Sequence, residues 1–371
     1  MDHRSREEFF AIVAPGLEPA CAEELLELGL GPVEIFPGGV EFAGFLADLY
    51  RANLELRTAS RIVVRFGRFR CRDFPALYRQ VSRLPWGRFV RAGTALQCRV
   101  TCRNSRLIHS GRVEETVRAA ADHALGRPPL SAAGGQLVLV RIVDDVVELS
   151  LDSSGELLHR RGYRTSVAAA PLRETLAAGL LRLLGWDGGE PLTDPMCGTG
   201  TLLSEGALLA ARRAPGLQRE FGFSRWPGYR PGLWEQLCRN VRRGERPCPV
   251  AIAGADCDAA ALAAAAANLE RAGVAAAVTL QLRSLTQQPV HAGSGLVVCN
   301  PPYGKRLATS QPPVAYYAAL GHELQRAYPG WRKALLCPEP GLVEAAGLPF
   351  QELATLDNGG LRVSLYATPR P

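Results

Sequence analysis

The sequence has no long hydrophobic run and no sign of export. Its longest apolar stretch, the alanine-rich Ala259–Ala267, falls far short of the roughly 20 residues a bilayer-spanning helix needs. The first residues, Met1-Asp2-His3-Arg4-Ser5-Arg6-Glu7-Glu8, are charged and lead into no apolar core with a small-residue cleavage site, so no signal peptide is expected. Ten cysteines, at 21, 71, 98, 102, 197, 238, 248, 257, 299 and 337, form no CxxC pair. Cys98 and Cys102 are nearest neighbours, but no second pair completes a zinc set. The histidines at 3, 109, 123, 159, 291 and 322 show no metal-ligand spacing either. The expectation is a cytoplasmic protein with reduced thiols, no metal and no membrane partner. Oligomeric state is not legible.

What the chain does have is a strong charge asymmetry. Residues 51–118 hold sixteen Arg and no Lys against four acids (Glu55, Asp73, Glu114, Glu115), so this window carries +12, and with a total of +7 the remainder sums to −5. A basic segment on a mildly acidic remainder suggests a polyanion-binding module beside something else. Arginine favours nucleic acid, because its guanidinium fork matches phosphate oxygens bidentately. A solvated, salt-bridged surface is the plainer alternative.

The 371 residues suffice for two or three domains. Residues 1–60 read as a small α+β unit. It has a strand at Phe9–Val13, a helical stripe over Glu18–Leu28 closed by Gly29, strands Val33–Phe36 and Gly39–Phe42 about Pro37-Gly38, and a helix at Phe45–Leu54. In the arginine-rich part, Ile62–Phe69 and Ala95–Thr101 read as strands, Glu114–Leu125 as a helix, and Leu137–Val143 with Val146–Leu151 as a hairpin. Residues 165–371 alternate helix and strand and close with a hairpin about Asp357-Asn358-Gly359-Gly360. That pattern predicts a mostly parallel sheet covered on both faces, an α/β fold.

Three constellations carry chemistry, each where a predicted strand ends. Asp194-Pro195-Met196-Cys197-Gly198-Thr199-Gly200-Thr201 joins a strand to a helix, and its glycines let the backbone approach a ligand. It lacks the third glycine of a dinucleotide fingerprint and the Gly-Lys-Ser/Thr of a P-loop, so a ligand without phosphates fits better. Asp256 ends the next strand, where an acid accepts hydrogen bonds from ribose hydroxyls, and Asp258 is the better helix cap. Between the two lies an insertion, residues 211–249, rich in Arg, Pro and Trp. The strongest signal is Asn300-Pro301-Pro302-Tyr303 after the apolar strand Leu296–Cys299. An exocyclic base amine is a poor nucleophile, since its lone pair is delocalised into the ring. The Asn300 oxygen and the Pro301 carbonyl can accept its hydrogens, the paired prolines hold that carbonyl rigidly, and Tyr303 can stack on a flipped base. A plain Asn-Pro turn is the alternative.

These motifs look like motifs I, II and IV of amino-methyltransferases. The surrounding sequence resembles the THUMP-domain RNA methyltransferases, most closely the guanine-N2 methyltransferase half of the bifunctional large-subunit rRNA enzymes. The similarity runs over nearly the whole chain and includes Gly38-Gly39-Val40, Arg103-Asn104-Ser105, Arg161-Gly162-Tyr163-Arg164, Pro171–Ala177 and Arg213–Leu217. It implies a ferredoxin-like domain at 1–60, a THUMP RNA-binding domain at 61–160 and a Rossmann-like, S-adenosylmethionine-dependent class I methyltransferase domain at 165–371. It also implies that Pro171, Arg173, Glu174 and Thr175 line the cofactor's methionine end, with Asp194, Cys197, Gly198, Thr199, Gly200, Thr201, Asp256 and Asn300 completing its site. Arg99, Arg103, Asn104, Arg106 and Arg161 are the residues expected on RNA. Two positions depart from the family pattern. Ser284 stands where an Asp near the cofactor's adenine is usual, and Lys305 where Glu is common. The expected activity is guanine-N2 methylation, in large-subunit rRNA before tRNA. Adenine-N6 or protein-glutamine methylation and a non-catalytic RNA-binding assembly factor are the competing readings.

Overall fold

The computed structural model describes residues 6–126, 131–164, 172–302 and 312–370. Its first part contains β1 (Glu7–Val13), α1 (Glu18–Glu27), β2 (Val33–Phe36), β3 (Gly39–Gly44), α2 (Leu46–Glu55), β4 (Ala59–Arg70), α3 (Phe74–Ser82), β5 (Thr94–Arg103), α4 (Ser110–Leu125), β6 (Ser131–Val143) and β7 (Val146–Asp152). The strands form one seven-stranded sheet ordered β2-β3-β1-β4-β7-β6-β5. All neighbours are antiparallel except β5 and β6. Because strand side chains alternate between faces, Phe9, Ala11, Val64, Val138, Val140 and Leu151 share one buried face, and Leu25, Leu49, Leu77 and Val117 of α1–α4 join the same core.

The sheet does not break where the composition changes. β4 starts inside the first expected segment and runs through the second, pairing with β1 on one side and β7 on the other. Helix α3 was not foreseen from the sequence. Its start is signalled by Asp73, whose side chain accepts from the Ala76 amide at 2.7 Å, and by Pro75 in the first turn.

The second part contains α5 (Glu174–Leu183), β8 (Leu192–Asp194), α6 (Thr201–Ala210), α7 (Pro231–Arg243), β9 (Ile252–Asp256), α8 (Ala259–Ala272), β10 (Val278–Leu282), β11 (Leu296–Cys299), α9 (Pro313–Ala327), β12 (Arg332–Cys337), α10 (Pro340–Ala345), β13 (Gln351–Asn358) and β14 (Leu361–Ala367). The sheet order is β10-β9-β8-β11-β12-β14-β13. The first five strands are parallel, and β14 is antiparallel to both its neighbours. From β8 the chain continues to β9 on one side, while β11 pairs on the other, so the switch point of this doubly wound sheet lies between β8 and β11. Open α/β sheets bind ligands at that point, outside the carboxyl ends of the strands. No helix among the described residues is long and apolar enough to cross a membrane.

The insertion between α6 and β9 ties the two parts together. It folds into an irregular stretch followed by α7, a helix the sequence reading missed, and carries aromatics onto α2. Tyr50 stacks on Phe223 with ring centroids 4.4 Å apart and meets the edge of Trp234 at 6.0 Å. Backbone bonds add to this, from Gly216 to Leu54 at 3.0 Å and from Phe223 to Ser153 at 2.8 Å. A Cβ at Gly216 would lie 2.9 Å from Leu54 Cα, so only glycine permits this approach.

Candidate active site

The three motifs meet at the carboxyl ends of three adjacent strands, β9, β8 and β11. Leu192 and Thr193 of β8 pair with Leu296 and Val297 of β11, which sets the Asp194 loop beside Asn300. On the other side Asp194 pairs with Gly254, which brings Asp256 to the same edge. All four residues of β11 are buried, so the strand is held by its apolar side chains and presents Asn300 at its end.

The loop after β8 is held by its neighbours. The Cys197 amide donates to the Ala255 carbonyl at 2.9 Å, and the Gly198 amide donates to Asp256 Oδ2 at 2.8 Å. Asp256 Oδ1 accepts from the Asp258 amide at 3.0 Å, while Asp258 caps α8 by accepting from Ala260 at 2.8 Å. Asn268 of α8 donates to the Thr199 carbonyl at 3.0 Å. Gly200 has φ +75°, and a Cβ there would stand 3.0 Å from Ala265 Cβ, so glycine and the alanine-rich helix together let the loop lie flat on α8. At Gly198, with φ +51°, a Cβ would meet nothing within 4 Å, so the loop faces open space there.

Among the described residues, two buried amide or carboxylate oxygens at this site stand without partners: Asn300 Oδ1 and Glu174 Oε2. Glu174 is the first residue of α5 and almost fully buried; its Oε1 lies 3.5 Å from Arg164 Nη1. Burial raises its pKa, against the lowering effect of Arg164. The Arg164 guanidinium also donates to Leu172 O at 3.0 Å and to the Thr201 hydroxyl. It thus links the start of α5 to the start of α6. Thr175 and Thr201 are buried, while Arg173 is exposed beside them. Ser284 follows β10 and is kept near Asp256 by an Arg283 amide bond to the Asp256 carbonyl at 2.9 Å; its hydroxyl is 2.9 Å from that of Thr286. Pro171, Tyr303 and Lys305 lie outside the described residues. Tyr316 of α9, to which the sequence reading gave no role, is half-buried with its hydroxyl 4.0 Å from Met196 Sδ, at the glycine loop.

Asp194 is the most perturbed acid of the site. It is 3% exposed, and burial first, then the Asp256 charge, raise its pKa from 3.8 to about 7, although the Met196 amide bond opposes the shift. A raised folded-state pKa means that its contribution to stability is complete below about pH 4 and lost as pH rises through about 7. An Asp194→Asn variant carries no such titration. In ligand-free protein, its melting temperature relative to the parent should therefore rise between pH 5 and pH 8. A pH-independent difference would show that this carboxyl does not titrate there.

The residues expected on RNA divide. Arg99 and Arg103 are exposed on the edge strand β5, and Asn104 and Arg106 are exposed in the turn after it. Asn104 is held at φ +48° and bonds Asp144, and the Arg106 amide donates to Asp145 at 2.8 Å. Arg161 requires correction. It is 3% exposed and pairs with the fully buried Glu205 at 3.4 Å. It also donates to the carbonyls of Leu158 and Arg57, and Tyr163 donates to Glu205 at 2.9 Å. A guanidinium so placed cannot reach a phosphate; it neutralises a buried carboxylate. Its motif gave no sign of this, because Glu205 lies 44 residues away.

A family model described as the RMKL-like methyltransferase domain matches residues 161–361, and one described as the RlmL ferredoxin-like domain matches residues 8–63. The chain belongs to the RMKL-like methyltransferase family. It is an S-adenosylmethionine-dependent methyltransferase, with a Rossmann-like catalytic domain behind an N-terminal ferredoxin-like one. A Methylococcus capsulatus protein named ribosomal RNA large subunit methyltransferase K/L is 37% identical over 97% of this chain, which spans 50% of that relative. A Synechocystis sp. protein described as a candidate RNA methyltransferase is 34% identical over 96% of this chain and 95% of its own length. Among solved structures, the candidate methyltransferase SMU.472, determined with S-adenosylhomocysteine, shares 27% identity and a TM-score of 0.90 over 99% of both chains. A Listeria monocytogenes protein described as a predicted N6-adenine-specific DNA methylase shares 29% identity and a TM-score of 0.91, over 99% of this chain and 97% of its own. The site of this methyltransferase suits the cofactor: the glycine loop faces open space at Gly198, and Glu174 Oε2, without a partner among the described residues, is chemically able to accept from an ammonium.

Proposed function

We propose that this methyltransferase forms N2-methylguanosine in RNA, with large-subunit rRNA as its substrate. The unpartnered Asn300 Oδ1 carries the proposal. A buried acceptor left unmatched costs about 1–3 kcal/mol, and a site that keeps one at the end of a strand is built for an incoming donor. An exocyclic amine supplies that donor. With its hydrogens held by Asn300 Oδ1 and the Pro301 carbonyl, the nitrogen's lone pair is drawn out of ring conjugation and directed to the methyl group. When bound, S-adenosylmethionine supplies that methyl as an electrophile on sulfonium sulfur. The methylated nitrogen then loses a proton past the same acceptors to solvent. Pro302 stiffens the turn, and Tyr303 stacks on the base. Glu174 receives the cofactor's ammonium beside Pro171, Arg173 and Thr175. Asp256 receives its ribose hydroxyls, Ser284 lies toward its adenine, and Asp194 and the loop from Cys197 to Thr201 shape the floor.

Residues 61–160 serve in this reading as the THUMP RNA-binding segment, with Arg99, Arg103, Asn104 and Arg106 on the backbone. RNA rather than DNA is supported by the names of the curated relatives and by this basic segment. Both guanine and adenine carry an exocyclic amine, and the Listeria protein's description keeps adenine in view. Nucleoside analysis by mass spectrometry decides among the readings. Purified protein, S-adenosylmethionine and unmodified rRNA or tRNA should yield N2-methylguanosine in one rRNA fragment. N6-methyladenosine would replace guanine with adenine, product in tRNA alone would change the substrate, and absence of methylation with intact RNA binding would favour an assembly factor.

A further inference from the structure

The helix-free face of the N-terminal sheet carries more positive charge than the four residues assigned to RNA. Three cross-strand rows run over β4, β7, β6 and β5. One row is Arg65, Ser150, Leu139 and Arg99; the next is Arg68, Glu148, Arg141 and Thr101; the third is Arg70, Val146, Val143 and Arg103. Arg68, Arg70, Arg99, Arg103 and Arg141 are all exposed, and none forms an ion pair with a described residue. The nearby acids are already engaged: Glu148 and Glu41 with Arg65, and Asp145 with Arg72. On this face the four strands present no aromatic side chain, since Phe66 and Phe69 belong to the opposite, packed side.

We propose that this face docks double-helical RNA by its phosphate backbone, next to the nucleotide to be methylated; the proposal rests on RNA being the substrate. The charge calls for a polyanion, and arginine for phosphate oxygens. The lack of aromatics on these four strands argues against a single strand laid across them, because sheets that hold unpaired RNA stack its bases on exposed rings; the nearest ring on this face, Phe10 of the neighbouring β1, is covered by the Arg65 guanidinium. The two arginine files, on β4 and β5, are three strand spacings apart, about 14 Å, and within a file the arginines repeat every second or fourth residue, about 7–14 Å. Two parallel files with Arg141 between them suit two backbones flanking the wide, shallow groove of an RNA helix. Such contacts position RNA without reading its sequence.

The test uses the full chain, a labelled RNA hairpin, and an unstructured single strand of equal length, with binding measured by fluorescence anisotropy over a range of KCl concentrations. Arg68→Gln/Arg70→Gln and Arg99→Gln/Arg103→Gln should each weaken hairpin binding at least tenfold. Each should also lower the slope of log K against log salt by about 2, one for each phosphate no longer neutralised. S-adenosylhomocysteine affinity and melting temperature should stay at parental values, showing the fold and cofactor site intact. The proposal falls if the Arg68/Arg70 pair leaves hairpin affinity and slope unchanged, or if the single strand binds as tightly as the hairpin and loses affinity equally. Methyl incorporation by the parent protein separates the two readings: hairpin binding through this face without any methylated RNA would sink the proposed function and leave the docking surface standing.

Discussion

Asn300→Ala is expected to lower kcat by about 10²–10³-fold, the usual effect of deleting one hydrogen-bonding group aimed at a reacting atom. Affinity for S-adenosylmethionine and RNA should stay within a few-fold of the parent. The same substitution should not destabilise the protein. The Asn300 oxygen is buried and has no partner among the described residues, so its removal relieves an unmet acceptor instead of breaking a bond. A stable, ligand-competent and inactive variant is the signature of a group kept for catalysis. Single-turnover methylation with calorimetric cofactor binding checks it; parental turnover would remove Asn300 from the chemistry.

Arg161→Met should have the largest effect on stability. Glu205 is completely buried and faces Arg161 and Tyr163. Removing one partner of a buried pair costs about 3–5 kcal/mol, because the other charge is left uncompensated. Replacing Glu205 with Leu in the same chain should recover much of that loss, since an apolar pair of similar volume is often neutral. Thermal melts of the parent, both single variants and the double variant give the coupling. RNA affinity of folded Arg161→Met, measured at low temperature, should keep the parental salt slope. A slope reduced by about 1 would return Arg161 to the RNA surface.

Much of the catalytic half was legible because its signals are local. β11 is four apolar residues ending on Asn300, the glycine loop ends on the N-terminus of α6, and Asp258 caps α8 as expected. Local signals do not reveal partners far along the chain. Arg161 sits in an exposed-looking Arg-Arg-Gly-Tyr-Arg run, yet its burial is decided by Glu205 on α6. Nor did composition locate a structural boundary, since the arginine content rises while β4 continues. The insertion was legible only by its content of Arg, Pro and Trp, because its aromatics and prolines have no helical period over most of its length, although α7 lies within it. The arginines of the open face were visible as a charge excess. Only the strand register shows that Arg68, Arg70 and Arg141 stand alongside Arg99 and Arg103.

The aromatic clasp of Tyr50, Phe223 and Trp234, with the Gly216–Leu54 and Phe223–Ser153 bonds, fastens the N-terminal sheet to the catalytic domain at several points. A fastening of that kind works as a ruler. Under the proposed function, RNA laid on the sheet would reach the pocket at a fixed distance, and the nucleotide presented to Asn300 would be selected by length and helical phase, with no reading of its neighbours. Loosening the clasp, for instance with Trp234→Ala, should therefore blur which nucleotide is modified before it slows the chemistry.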